Sequence, residues 1–350
     1  MYFFHNDYNE TCHPAVMRKL AGCSEVPHNG YSTDECCAAA AELIRKQCNN
    51  DDLAVHFLVG GTQTNLTVIT ASLRPHQAVI TADSGHVNVH ETGAIEATGH
   101  KLIQLPCKDG KLSPELVEQA VLSQKLSADA EHIAQPKLVY ISNPTEFGTT
   151  YSLPELTALS DVCKRHRLYL FADGARLGYA LASDSYDVTM EDMARLTDAF
   201  YIGGTKVGAM FGEAVVISEP SIAEDFRYII KQRGAMLAKG WLLGVQFEAL
   251  FEDDLYYKIA RHADAAADIL RQTLIDLGYQ LVCPNKTNQV FVTLPNTVLE
   301  QLEKEFSFAV WDYVDADHTT VRFCTSWATK PESLQALCST LRKLLAVSDH

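Results

Sequence analysis

Between residues 35 and 250 short apolar runs alternate with helical stretches, and few architectures accept that rhythm. The runs lie at 54–59, 78–82, 102–105, 138–142, 168–172, 199–202 and 214–217. Each is rich in Val, Ile, Leu, Phe or Tyr and is flanked by turn residues, as a short buried strand should be. Helical patterns fill the gaps at 63–73, 114–122 and 153–166, the last with Pro154 in its first turn, where a missing N–H costs nothing. Strands apolar on both faces need cover on both faces. The expected fold is therefore α/β, a mostly parallel seven-stranded sheet sandwiched by helices. From residue 251 the rhythm changes. Helical runs at 255–277, 299–305 and 331–346 alternate with short strands at 280–283, 289–293 and 320–324. We expect a large domain over 1–250, with its N-terminal segment contributing to the site, and a small α+β domain over 251–350.

Composition narrows the partners. The 350 residues carry a formal charge of −15, which repels nucleic acid and anionic membranes. No run approaches the length of a membrane span. The ten cysteines form no C-x-x-C pair, and the neighbours Cys36 and Cys37 suit neither a zinc knuckle nor a simple disulfide. Buried thiols in a reducing, cytoplasmic compartment are the expectation.

Ligands on such sheets bind beyond the carboxyl ends of the strands, where Gly60, Asp83, Asn143, Asp173 and Gly203 fall. Two of those ends carry chemistry. The run 199–202 ends in Gly203-Gly204-Thr205-Lys206. An amine held there is partly desolvated, which favours its neutral, nucleophilic form, ready to form a Schiff base with an aldehyde. The run 168–172 ends in Asp173-Gly174-Ala175-Arg176. A lysine for the aldehyde and an acid for the ring nitrogen are what pyridoxal phosphate requires. Gly60, Gly61 and Thr62 open a helix directly after a strand, so free N–H groups and the helix dipole could cradle its phosphate. His86 and His90, spaced i and i+4, also open a metal reading. No third ligand stands nearby in sequence, and no metal is expected.

Several segments together name a family. They are Gly60-Gly61-Thr62-Gln63-Thr64-Asn65, Ala82-Asp83-Ser84-Gly85-His86, Glu91-Thr92-Gly93-Ala94, Asp173-Gly174-Ala175-Arg176-Leu177, Thr205-Lys206 and Val321-Arg322-Phe323-Cys324-Thr325. In this order and spacing the chain resembles, nearly end to end, the low-specificity L-threonine aldolases of the β-eliminating lyase group. These are pyridoxal-phosphate enzymes of fold type I, the aspartate-aminotransferase-like fold. The resemblance implies retro-aldol cleavage of threonine, allo-threonine and related β-hydroxy amino acids to glycine and an aldehyde. The alternative is a pyridoxal-phosphate lyase that eliminates a β-substituent from another amino acid.

Carried over by resemblance, Lys206 holds the cofactor, Asp173 pairs with its ring nitrogen and Arg176 contacts the ring-hydroxyl side. His86 stacks on the ring, and Gly60, Gly61, Thr62, Asn143 and Thr205 complete the cofactor set. Arg322 clamps the substrate carboxylate, a natural partner for a bidentate guanidinium, with Asn6 beside it. His132 matches a histidine near the substrate hydroxyl, so His86, His132 and a water are open as the base. Tyr31 matches a loop tyrosine that enters a neighbouring subunit's site, which implies a homodimer or homotetramer. Two departures stand out. Gly85 is an addition to the pattern. The family's Gly-Gly-Gly-Met-Arg is replaced by Arg233-Gly234-Ala235-Met236-Leu237-Ala238-Lys239, leaving Arg233 and Lys239 to supply the missing cation.

Overall fold

In a computed structural model that describes residues 1–348, the apolar runs join into one sheet. Its strands are β1 (Ala54–Leu58), β2 (Gln77–Ala82), β3 (Lys101–Leu105), β4 (Gln135–Ser142), β5 (Tyr169–Asp173), β6 (Ala199–Gly203) and β7 (Glu213–Ile217). The spatial order is β1-β7-β6-β5-β4-β2-β3. Six strands point one way, and only β7 runs antiparallel to both its neighbours.

Every residue of β2, β6 and β7 is buried. Consecutive residues feed opposite cores, as the pleat requires. Val79, Leu138, Phe171, Tyr201 and Val215 point into one cluster. Their neighbours Ile80, Val139, Leu170, Phe200 and Val216 point into the other. Each such side chain contributes about 1.5–3 kcal/mol of burial, so both faces must be helix-covered. That is why the runs read as continuously apolar. The helix Leu153–His166 begins at a full capping box of Ser152 and Glu155.

The C-terminal part builds a three-stranded antiparallel sheet from β8 (Gln289–Pro295), β9 (Ala309–Tyr313) and β10 (His318–Cys324), in the order β9-β10-β8. The strand expected at 280–283 is a correction, since only Leu281 makes an isolated bridge, to Val292. The third strand is instead β9, a half-exposed strand at the opposite edge of the sheet, without an apolar run to announce it. The helix Leu255–Asp276 runs through both cores, with Tyr256 and Ile259 in the large one and Leu270 and Leu274 in the small one. The N-terminus also crosses over. Tyr2–Phe3 pairs in parallel with Phe306–Ser307, and Phe4 is fully buried in the small core. Among the described residues no helix is long and apolar enough to cross a membrane.

Candidate active site

Strand register assembles the site. Ser142 of β4 lies opposite Asp173 of β5, and Gly203 of β6 lies opposite Glu213 of β7. Lys206, Asp173, Asn143 and Glu213 therefore share the carboxyl edge of the sheet, as does Gly60 after β1. The ends of β5 and β6 touch because Gly203 has no side chain: a Cβ there would lie 2.1 Å from the Ala175 carbonyl oxygen.

Asp173 is 4 % exposed and saturated with donors. Its Oδ2 accepts from Tyr140 Oη at 2.6 Å and Asn65 Nδ2 at 3.0 Å. Its Oδ1 accepts from Tyr201 Oη at 2.5 Å and from the Ala175 amide at 3.0 Å. Hydrogen bonds to a charged acceptor contribute about 1.5–3 kcal/mol each. Four of them offset the several kcal/mol that burying one carboxylate costs. Burial pushes its pKa up, but the His86 charge and these donors outweigh it and hold the group below its ordinary 3.8. Asp173 is thus an anion fixed in position.

Lys206 follows at the end of the same edge. Burial, reinforced by the Arg176 charge, lowers its pKa from 10.5 against the opposing pull of Asp7, Asp173 and Glu213. The turn before it is braced by Glu213, whose oxygens accept from Thr205 Oγ1 at 2.8 Å and the Gly204 amide at 3.0 Å. Burial pushes the Glu213 carboxyl up to about 8.

His86 lies across the site. Its Nδ1 is 2.7 Å from Glu91 Oε1, which also accepts from Asn65 Nδ2 at 2.7 Å. A carboxylate at that distance orients the ring, with Nδ1 toward Glu91 and Nε2 turned away from it. His86, Glu91 and Asp173 place donor atoms within 4.8 Å of one another. The His86 and His90 rings lie 5.5 Å apart. Burial lowers the His90 pKa, as do the charges of His86, Arg322, Lys206 and Arg176. The His90 ring thus feels several cations, a setting for an anionic ligand.

The helix Gly61–Ser72 begins with Gly60 as N-cap and no side chain on its free amides. Gly61 is required by contact, since a Cβ there would lie 3.0 Å from Tyr201 Oη. Lysine, fixed anion, imidazole and an uncapped helix start fit the aldehyde, ring nitrogen, ring face and phosphate of pyridoxal phosphate. Arg322 is half-buried on β10 with slack bonds, to Gln289 Oε1 at 3.2 Å and the His5 carbonyl at 3.3 Å, and its Nε has no partner.

Other expected residues sit differently. His132 is exposed in a turn before β4, at the amino edge of the sheet and the full length of that strand from Asp173. Its own chain keeps it out of this cluster, a correction to the sequence reading. Asn143 sits beside Asp173, but its amide turns away to Tyr186 Oη at 2.7 Å, so its side chain supports the edge rather than the ring. The Thr205 hydroxyl is likewise committed to Glu213. Arg176 spends Nε and Nη2 on Asp7, at 2.7 and 3.0 Å, leaving Nη1 for a ligand. Asn6 is half-buried, and its Oδ1 accepts from the Tyr8 amide. Tyr31 is 46 % exposed, with its carbonyl on Arg227 and Lys231 over its ring.

Sequence reasoning missed the residues that hold the others: Asp7, Glu91 and Glu213 as partners, Tyr140 and Tyr201 as donors. A tyrosine inside a doubly buried strand must bond its hydroxyl somewhere, a signal that was available for the last two. Asp7 carries no such signal.

Comparison with known proteins agrees with this geometry. The family model described as beta-eliminating lyase matches residues 10–297. A low specificity L-threonine aldolase of Pseudomonas aeruginosa is 29 % identical over 347 residues, covering 98 % of this chain and 97 % of that protein. The one from Escherichia coli K12 is 25 % identical over 245 residues, 67 % of this chain and 69 % of its own. The solved structure of a Leishmania major threonine aldolase is 45 % identical, with a TM-score of 0.96 over 99 % of this chain and 100 % of that one. An aspartate aminotransferase of Thermus thermophilus, 17 % identical with a TM-score of 0.72 over 98 % and 91 %, shares the fold.

Proposed function

The chain belongs to the β-eliminating lyase family, and from that premise we propose that it is a pyridoxal-phosphate-dependent threonine aldolase. It would cleave threonine, allo-threonine and related β-hydroxy amino acids to glycine and an aldehyde. One observation carries the reading. A buried anion fixed by four donors and a desolvated lysine share an edge with an imidazole, and from the small sheet the charge of Arg322, whose hydrogen bonds are slack, reaches the neighbouring His90.

Bound here, pyridoxal phosphate would supply an electron sink for the Cα carbanion, provided its ring nitrogen stays protonated. The residues do the rest. Asp173 holds that proton in place. Lys206, whose burial shifts it toward the neutral amine, would hold the aldehyde. Arg322 would fix the substrate carboxylate and so orient the substrate for cleavage. Nε2 of His86, oriented through Nδ1 by Glu91, accepts the β-hydroxyl proton. The helix start at Gly60, Gly61 and Thr62 takes the phosphate. We assign the remaining expected residues lesser parts: Arg176 the ring-hydroxyl side through Nη1, Asn6 the carboxylate, and Asn143 and Thr205 the support of the edge.

We further propose that the working form is a homo-oligomer, with the exposed Tyr31 reaching a neighbour's site, and that it works in the cytoplasm. The thiols recorded as free suit a reducing compartment.

The test is a visible spectrum with a product assay. A Schiff-base band absent from Lys206→Ala, with glycine and acetaldehyde formed from threonine, is the expected result. 2-Oxobutanoate and ammonia instead of glycine would move the reaction to β-elimination. No band after reconstitution with pyridoxal phosphate would overturn the assignment.

A further inference from the structure

A second group of reactive side chains shares no residue with the lysine cleft. Cys23 caps the helix Pro14–Gly22, Cys36 is the second residue of the helix Glu35–Gln47, and His28 belongs to the loop between them. The two sulfurs and one imidazole nitrogen all lie within 4.8 Å of one another. Cys36 Sγ is 4.0 Å from His28 Nδ1, and Glu35 Oε1 is 2.7 Å from that nitrogen. The His28 side chain is only 4 % exposed, its ring packs on Trp241 with centroids 4.6 Å apart, and its Nε2 is buried without a partner.

These are soft donors from three separate stretches of chain, and soft nitrogen and sulfur donors select zinc over magnesium or calcium. A tetrahedral zinc holds sulfur at about 2.3 Å and nitrogen at about 2.0–2.1 Å, which sets ligand-to-ligand edges of roughly 3.5–3.8 Å. The observed cluster closes to that size if each atom moves about 1 Å or less. Asp34, Glu35 and Glu248 lend Cys36 a negative surrounding that suits a cation. The loop thus enclosed contains Tyr31 and Ser32 at φ 60° and 59°, a left-handed pair that non-glycine residues hold only when pinned.

We propose that Cys23, His28 and Cys36 form a structural zinc site, its fourth position filled by the exposed Glu35 carboxylate once it swings from His28 Nδ1 toward the two sulfurs. It staples the end of one helix to the start of the next and holds the Tyr31 loop in its left-handed turn. Four protein ligands leave no open position, so the role is structural rather than catalytic.

The test uses the holoenzyme, stripped by chelator and titrated with zinc against a chromophoric competitor. One zinc per chain is expected. Its X-ray absorption should show two sulfur ligands at about 2.3 Å, a signature the sulfur-free group around Asp173 cannot produce. Cys36→Ser and His28→Gln should each weaken binding at least tenfold, and Cys283→Ser should leave it unchanged. Zinc should raise the Tm of the wild type and not that of a Cys23→Ser, Cys36→Ser double variant. The absorption edge is read on the wild-type protein, so it decides even where a variant fails to fold. No stoichiometric zinc, a coordination shell without sulfur, or a Cys23–Cys36 disulfide in protein kept under reductant would overturn the proposal.

Discussion

Asp173 and Arg322 are the two charges on which the proposed chemistry most depends, and the molecule treats them in opposite ways. Asp173 ends a fully covered strand and accepts four hydrogen bonds of 2.5–3.0 Å, from β4, from β6, from a helix and from its own turn. Arg322 lies on a small antiparallel sheet, holds two bonds of 3.2 and 3.3 Å, and keeps its Nε buried and unpaired. The first charge is fixed in position before any ligand arrives. The second is left incomplete, so that a carboxylate can complete it. A group that serves a permanent cofactor can be saturated by the fold. A group that must bind and release at each turnover cannot.

That contrast can be broken experimentally, beginning where the effect is largest. Lys206→Ala removes the anchor from the rigid side and should cut activity by about 10³-fold or more, measured as glycine formed from threonine. Retained activity would show that the amine is not the anchor. Asp173→Asn keeps the shape but loses the charge and sets an amide against hydroxyl and amide donors. A fall in kcat of roughly 10²–10³-fold is expected, the usual scale for losing one preorganised electrostatic partner. Acid stability tests the same residue. Its folded-state pKa lies below 3.8, so its contribution is present above that value and drains away as pH falls through the depressed one. In acid titrations followed by circular dichroism, the wild type should lose this advantage over Asp173→Asn below about pH 4.

On the adaptable side the signature differs. Arg322→Gln should raise KM about 10- to 150-fold, the equivalent of 1.5–3 kcal/mol, with a smaller change in kcat. An equal loss in kcat would mean that Arg322 belongs to the rigid half after all. Smallest is Glu91→Gln, which leaves an acceptor for His86 Nδ1 but removes the carboxylate. We expect about a tenfold loss in kcat with KM little changed, because the ring loses the carboxylate that orients it. An unchanged kcat would detach His86 from proton transfer.

The two sides also differed in how well they could be read beforehand. Residues 199–202 and 168–172 announced β6 and β5, because a strand covered on both faces must be apolar throughout. The chemistry at their ends followed from the topology of parallel sheets. The edge strand β9 carried no such run, and the strand expected at 280–283 shrank to one bridge. An edge strand is half solvated, and its pattern fades into that of loops. Lys206 and Asp173 could be picked out because their side chains carry unusual chemistry at legible positions, whereas Arg322 came from the resemblance. His132 could not be placed, because its distance from Asp173 depends on which end of β4 it adjoins.

What the sequence determined by itself is the layered sheet, the edge on which chemistry occurs and the pair formed by Lys206 and Asp173. Each follows from local rules of periodicity, strand direction and side-chain chemistry. Only the tertiary structure decided which groups hold that pair in state. Asp7 reaches Arg176 across 169 positions and Asn65 reaches Asp173 across 108. It also turned Asn143 and Thr205 to supporting partners and brought Cys23, His28 and Cys36 together. Those outcomes depend on hydrogen bonds a few ångströms long between residues far apart in the chain. No local pattern encodes them, because the direction of a side chain is set by what packs around it.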